Sequence, residues 1–476
     1  MSTTEPETDG QKPDVNAPPP EAPAEETVAD VYPVTTDLVR QVTTALEAGD
    51  LAAVQALTQD LHEADLADLI ALVDPEARAR LITALGPIFK PEVLSELEES
   101  IRADVLDTLK AEDLAAAVSQ LETDDAVDIL EDLDEEKRQE VLEVLPAEER
   151  TAVEESLSYP EESAGRLMRR ELIAVPQFWT VGQTIDHMRE SADLPDEFHE
   201  ILVVDPRHHP VGEVTLSRLL RTQRQTLVSD IMETSLDLIP ADMDQEEVAH
   251  IFKQYNLMSA PVVDDQGRLV GIITVDDIVD VIQEEADEDI LRLAGVSDGN
   301  LNESVQQVSK TRIVWLLVNL CTAVLASWVI SMFDVAIEKL VALAVLMPIV
   351  ASMGGNAGHQ TMTVAVRALA TRELMPSNAW RIIKREVMVG VINGLILAVV
   401  IGVVAGLWFS NALLGGVLGM ALVINFFVAG LCGVMIPVSL QRFGVDPAVA
   451  SSVFLTTVTD VVGFFAFLGL AGLVLL

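Results

Sequence analysis

Apolar positions along residues 35–158 recur at helical spacing. Ala126, Ile129, Leu130 and Leu133, for example, fall at i, i+3, i+4 and i+7. Asp65, Asp68 and Ile70 return sixty residues later as Asp125, Asp128 and Leu130, so the pattern predicts short helices stacked as a small superhelix. Residues 159–283 change period. Runs rich in Val and Ile (Ile201–Val204, Pro261–Val263, Gly271–Val275) alternate with helical stretches. Leu167-Met168 matches Ile231-Met232 and Pro176 matches Pro240 at an offset of 64, while Val203 matches Val262 and Gly212 matches Gly271 at an offset of 59. Two tandem copies of strand and helix, packed as a pseudo-symmetric pair, are expected. Residues 277–309 read as one long connecting helix. Five apolar stretches follow: Ile313–Phe333, Leu340–Val366, Val387–Phe409, Leu413–Leu440 and Ala448–Leu476. Each reaches the roughly 20 residues a spanning helix needs. Pro348 and Gly354-Gly355 are expected to break the second.

Charge divides the chain at the same place. The 476 residues carry 30 basic and 76 acidic side chains, a net charge of −46, yet mean hydropathy is +0.33. Residues 311–476 hold eight basic and six acidic side chains, a net of +2, which leaves −48 on residues 1–310. A single soluble domain is excluded, and so is nucleic acid as a partner, since phosphate binding needs clustered Lys and Arg. Cys321 and Cys432 both lie in apolar stretches, so neither a disulfide framework nor a metal-thiolate spacing exists. The first 34 residues, rich in Pro, Glu and Thr, are expected to be a disordered tail and not a signal peptide. The organisation is then a tail over 1–34, a helical domain over 35–158, the paired repeat over 159–283, a connecting helix over 284–310 and a five-span membrane domain over 311–476. Lys310 and Arg312 precede span one, five basic residues lie between spans two and three, and Arg442 lies between four and five. The positive-inside rule places the N-terminus and soluble domains in the cytoplasm and Leu476 outside, in a multi-pass protein of the cell's inner membrane.

Asp460 is the most informative residue. It lies near the middle of span five, where an unpaired carboxylate costs several kcal/mol. At helical period it shares a face with Ser452, Thr456 and Gly463. An ion site on a pore axis is the functional reading, and a protonated Asp bonded to a neighbouring helix is the plain one. Asp446, before Pro447, fits a helix N-cap and equally a cation-attracting mouth. The run Gly354-Gly355-Asn356-Ala357-Gly358-His359-Gln360 fits close helix packing or a pore lining. His359 stands alone and is no metal ligand on this evidence. Asp277, Asp280, Glu284 and Glu288 fall on one narrow helical face, flanked by Glu285, Asp287 and Asp289. Like charges so placed destabilise a helix unless cations bind between them. Carboxylates that leave an ion its waters suit Mg²⁺. Thr274 and Asp277 after a strand read as a helix cap or a ligand contact. In the first copy Arg218 stands where Asp277 does. No nucleophile–base pair or phosphate-cradling loop is present, so an enzyme is not expected.

Together the paired repeat, the acidic run Gln283–Ile290, the glycine-broken span and the Asp446…Asp460 pair resemble the MgtE family of magnesium transporters over residues of about 35 to 476. The repeat is similar to tandem CBS domains. The resemblance implies a homodimeric Mg²⁺ channel with its pore between the subunits, lined by Gly355 and Asn356. Asp460 would hold hydrated Mg²⁺, helped by the Thr456 carbonyl, with Asp446 at the entrance. The acidic helix would act as a plug that cytosolic Mg²⁺ bridges to the soluble domains, closing the pore. Asp244, Glu246, Asp277, Asp280, Glu285, Glu288 and Asp289 resemble the family's sensing carboxylates, with Glu92 and Asp124 in the helical domain. Asn256 departs from the pattern, where a carboxylate would be expected. Thr274 resembles the contact through which some CBS pairs bind ATP, but the first copy lacks the matching acid. A broader route for Co²⁺, Ni²⁺ or Mn²⁺ and a nucleotide-regulated CBS scaffold in the lipid membrane are the alternatives.

Overall fold

The computed structural model describes residues 34–86, 89–191, 194–195, 198–296, 305–375 and 377–475; the expected tail lies outside them up to residue 33. The chain divides into two units, one ending at Pro160 and taking in Arg169–Glu171, the other holding the remainder.

Among its described residues the first unit is helical: α1 (Thr36–Ala48), α2 (Leu51–Thr58), α3 (Glu63–Leu72), α4 (Pro75–Leu85), α5 (Glu92–Ser95), α6 (Glu99–Thr108), α7 (Ala111–Val118), α8 (Thr123–Glu131), α9 (Glu135–Val144) and α10 (Ala147–Leu157). Thr35, Asp50 and Asp134 cap their helices by accepting from the N–H groups of Leu38, Ala53 and Lys137. Leu81, Val105 and Ile129 are each fully buried and lie 24 residues apart. Arg78 and Arg102 share that step, and each reaches an aspartate 26 residues on, Asp104 and Asp128. Packing thus follows a shorter repeat than the sixty-residue echo suggested.

The second unit opens with α11 (Ala164–Leu167) and two three-stranded sheets. In the first, β1 (Ala174–Pro176) pairs parallel with β2 (Glu200–Val204), which pairs antiparallel with β3 (Pro210–Thr215). In the second, β4 (Ile239–Pro240), β5 (Ser259–Val263) and β6 (Leu269–Thr274) repeat that order. Both sheets shift register at the same point, Val203/Val204 and Val262/Val263. The helices between them are α12 (Val181–Glu190), α13 (Leu216–Leu220) and α14 (Gln245–Tyr255). The repeated Leu-Met and Ile-Met pairs now have a cause. Met168, before the first copy, packs on Gly271 of the second, and Met232, opening the second, packs on Gly212 of the first; a Cβ on either glycine would stand within 2.7 Å of the methionine sulfur. Each copy lends its leading segment to the other's sheet.

Two expectations need correction. The connecting helix is not continuous over 277–309: α15 (Val275–Leu293) ends in a turn with Gly295 at φ +73°, and residues 297–304 lie outside the described ones. Glycine is suited to that left-handed exit. After it come α16 (Val305–Ser331), α17 (Asp334–Lys339), α18 (Ala342–Ala370), α19 (Ala379–Trp408), α20 (Ala412–Arg442) and α21 (Pro447–Val474). The second correction is that span two is unbroken. α18 runs 29 residues straight through Pro348, Gly354 and Gly355. Neighbouring helices supply the packing that lets a membrane helix tolerate such residues. Among the described residues four helices, α16, α19, α20 and α21, contain segments long and apolar enough to cross a membrane. α18 has the length, but Ser352, Asn356, His359, Gln360 and Thr361 dilute its apolar character.

Candidate functional site

The site begins where the paired repeat hands over to the membrane helices. A capping box starts α15: the Thr274 hydroxyl donates to Asp277 Oδ2 at 2.8 Å. Asp277 is thereby engaged in folding the helix start, and in the first copy Thr215 contacts only Ser217, at 3.3 Å. Farther along, Asp280 and Glu284 are exposed, whereas Glu285, Glu288 and Asp289 are partly buried. Exposure thus divides the acidic run: Glu288 of the stripe and Glu285 and Asp289 beside it are the inward ones. Glu285 accepts from Gln245 Nε2 at 2.8 Å and faces Glu162 and Asp244. Asp289 faces Asp446 and Glu285. Glu246, in the first turn of α14, faces Glu285, Asp244 and Asp289. Asp244 caps that helix by accepting from the Glu246 N–H at 3.0 Å. Loss of solvent, and then these neighbouring negative charges, push the carboxyls of Glu246, Glu285 and Asp289 above their ordinary values. Among the described residues no three His, Cys, Asp or Glu side chains stand close enough to hold a bare metal ion.

Two arginines enter this acidic run. Arg292, in the last turn of α15, donates to Asp446 Oδ2 at 2.7 Å and also pairs with Glu288. Asp446 Oδ1 meanwhile accepts from the Ala448 N–H at 2.7 Å, with Pro447 in the first turn, so Asp446 caps α21. Arg372 pairs with Glu247 of α14 at 3.2 Å. Leu293 packs on Met362, Val366, Ala448 and Leu455, which seats the end of α15 against α18 and α21.

At membrane depth, Asp460 is partly buried, and its carboxylate has no hydrogen-bond or ion-pair partner among the described residues. One turn earlier, the Thr456 hydroxyl donates to Ser452 O at 2.9 Å and stands 3.4 Å from His359 Nε2 of α18. The Thr456 carbonyl accepts from Thr459 Oγ1 at 3.1 Å. α18 packs against α20 and α21 with Val350, Gly354 and Gly358, while Ser352, Asn356 and Gln360 are exposed and a Cβ on Gly355 would meet nothing. A polar face at this depth is therefore left open in one chain.

The second-unit repeat, residues 164–224 and 228–284, matches a CBS domain model; residues 61–162 match the MgtE intracellular N domain, and residues 347–470 match a family described as a divalent cation transporter, MgtE. The magnesium transporter MgtE of Thermus thermophilus is 37% identical over 321 residues, covering 67% of this chain and 71% of that protein. This chain belongs to the MgtE family of magnesium transporters. The Enterococcus faecalis magnesium transporter MgtE is 34% identical over 317 residues, covering 67% of this chain and 70% of that one. A crystal structure of the cytosolic domain of the Mg²⁺ channel MgtE in complex with ATP is 33% identical, covers 51% of this chain and 99% of that one, and superposes with a TM-score of 0.47.

In this MgtE chain the structure brings together Asp244, Glu246, Glu285, Glu288, Asp289 and Asp446, and separately Thr456 with the Asp460 face. Glu92 opens α5 and Asp124 lies in the first turn of α8, two helices that pack on each other within the first unit. Asn256 ends α14 in the left-handed region at φ 55°, a conformation Asn tolerates better than an acid with a longer side chain, which accounts for the departure there. Sequence reasoning missed two groups. Arg292 lies just past the acidic run Gln283–Ile290 and carried no signal of its own. Asn425, fully buried in mid α20, carried the same signal as Asp460, a polar side chain inside an apolar span.

Proposed function

We propose that this chain forms a homodimeric Mg²⁺ channel of the inner membrane, cytoplasmic at its N-terminus and outside at its C-terminus, which cytosolic Mg²⁺ closes. The observation that carries the reading is the unbroken line of carboxylates from the CBS pair to the pore helix: Glu246, Glu285, Asp289 and Asp446. Ionised together, they oppose the docking of α15, and a divalent cation held through its waters removes that opposition. At low Mg²⁺ the line repels itself and α15 leaves α21; at high Mg²⁺ it is bridged and the helix stays seated. The open polar faces of α18 and α21, unsuited to lipid, meet those of a second copy and form the pore. Asp460 there attracts a hydrated ion at the depth of Gly355 and Asn356.

Proteoliposome flux and patch recordings test the two halves of the reading. Asp460→Ala should abolish Mg²⁺ uptake while the dimer still assembles; uptake at the wild-type rate would remove the ion site. Combined Glu285→Gln, Glu288→Gln and Asp289→Asn substitutions should uncouple gating from Mg²⁺, keeping α15 seated and the channel shut at Mg²⁺ levels low enough to open the wild type. Unchanged Mg²⁺ inhibition would refute the line of carboxylates as the sensor.

A further inference from the structure

Three membrane helices meet on one amide. Asn425 of α20 is fully buried, and its Nδ2 donates to Val350 O of α18 at 3.0 Å. Its Oδ1 is buried without a hydrogen-bond partner among the described residues. Two glycines make the room it occupies. A Cβ on Gly463 of α21 would lie 2.6 Å from Nδ2 and 3.1 Å from Val350 Cγ1, and a Cβ on Gly354 of α18 would collide with the same amide. Gly463 comes three residues after Asp460, and Gly354 directly precedes Gly355 and Asn356. The amide therefore lies between the two short segments that carry the ion-site residues.

Packing alone does not account for an amide here. A leucine has the same branched skeleton, somewhat bulkier, and would occupy the slot without stranding an acceptor in an apolar interior, where an unmade hydrogen bond is costly. Interhelical glue is the usual role of a buried amide in a membrane, and one donor bond to Val350 O is a modest glue. What leucine cannot supply is a fixed direction. The donor bond ties Asn425 to one carbonyl of α18, and the two glycines hold both neighbours against its faces, so the offset between α18 and α21 is set at the depth of Asp460. We infer that Asn425 is a positioning residue of the ion site: it fixes the register of Asp460 against Gly355 and Asn356 and so sets which hydrated cation fits. The inference rests on the reading of Asp460 as the ion site.

The test compares Asn425→Leu, Gly463→Ala, Asn425→Ala and the double variant Asn425→Ala/Gly463→Ala with Asp460→Ala. The full-length protein in proteoliposomes supplies Mg²⁺ uptake, its KM, and the ratio of Mg²⁺ to Ni²⁺ flux. Thermal unfolding and dimer assembly run alongside. A positioning role predicts that Asn425→Leu assembles normally, loses at least tenfold in Mg²⁺ uptake and shifts the Mg²⁺/Ni²⁺ ratio. Gly463→Ala should shift the ratio the same way by pushing the amide aside, and the double variant should lose no more than Asn425→Ala alone, because both changes act through the one amide. A folded Asn425→Leu with wild-type uptake and ratio would overturn the inference. Should Asn425→Leu not fold, the double variant decides: losses that simply add, with no change in ratio, mean the amide is only glue. Wild-type flux in Asp460→Ala would instead sink the underlying site, which keeps the two failures apart.

Discussion

The helical domain and the junction around α15 are both built from acidic residues, yet they spend their charge in opposite ways. In the helical domain acids meet buried bases. Arg78, 4% exposed, reaches Asp104 at 2.7 Å and donates to Ile70 O at 3.2 Å. Arg102, 5% exposed, reaches Asp132 at 2.5 Å and grips Asp128 as well. Lys137 donates to Leu106 O at 2.6 Å, and Lys90 pairs with Glu63. At the junction Glu246, Glu285 and Asp289 face other carboxylates; the two arginines nearby pair with Asp446, Glu288 and Glu247 and offset only part of the charge at Glu246 and Glu285. Acidity as such thus says nothing about sensing. On the proposed reading, the two regions differ in whether enough cationic charge is built into the chain or part of it arrives from solution.

The comparison breaks most visibly at Arg102. Arg102→Ala strands Asp128 and Asp132 beside a buried space, and removing one partner of a buried pair typically costs about 3–5 kcal/mol. Hydrogen exchange over α6 to α9 should show that loss equally in Mg²⁺ and in chelator. If Mg²⁺ restored the variant's protection, those pairs would be exchangeable with solution cations and the two regions would be alike.

How far the sequence foretold this division varies by element. The CBS pair was legible because strand period and the Gly212/Gly271 and Met168/Met232 correspondences all repeat; each copy needs the other's methionine, so selection on packing leaves paired marks. The 24-residue step of the helical domain was harder to see, because recurring core positions such as Leu81, Val105 and Ile129 are interchangeable in a core, and the Arg78/Arg102 and Asp104/Asp128 identities are scattered among them. The end of α15 at Leu293 was lost in a run of good helix formers; Gly295 was the available signal. Pro348 and the glycine pair suggested a break in α18 because their local propensity is poor, but in this fold tertiary contacts override it: Asn425 fills the notch at Gly354, and Leu455 closes on Gly358. Asp460 stood out as a charge in an apolar span, whereas neutral Asn425 did not, although it is the more deeply buried.

A second, smaller effect tests the resident cations of the junction. Arg292→Gln leaves Asp446 and Glu288 without their base next to Asp289. The pair is about a third exposed, with side chains at 33% and 30%, so roughly 1 kcal/mol is at stake, or about fivefold in an equilibrium. Closing the channel should then need about fivefold more Mg²⁺, and Arg292→Lys should need nearly the wild-type amount. Patch recordings across a Mg²⁺ series read this directly. An unchanged midpoint in Arg292→Gln would mean the arginine decorates the contact without holding it.

The smallest effect is in pH, and here the two regions should differ in sign. Glu285 and Asp289 have carboxyls raised above their ordinary values when α15 is docked. A raised carboxyl favours the docked state below its ordinary value and loses that advantage as pH climbs through the raised one. Protons therefore substitute for Mg²⁺ at the junction, and docking without Mg²⁺ should improve as pH falls from 8 toward 5. Glu63 behaves oppositely: its hydrogen bond to Lys90 lowers its carboxyl, so its contribution is present above the ordinary value and fades as pH falls through the lowered one. Asp132 is the instructive exception inside the helical domain, because burial outweighs Arg102 and pushes it up to about 6. Its contribution is lost as pH rises through that value, in the junction's direction. Hydrogen exchange in chelator, corrected for the intrinsic pH dependence of exchange, should show α14 and α15 gaining protection on acidification by a few tenths of a kcal/mol per group while the α3 start near Glu63 loses it. Protection of α14 and α15 that stayed flat or fell would mean that the junction acids do not oppose docking. The contrast between built-in and borrowed cations would then fail at its weakest but most direct point.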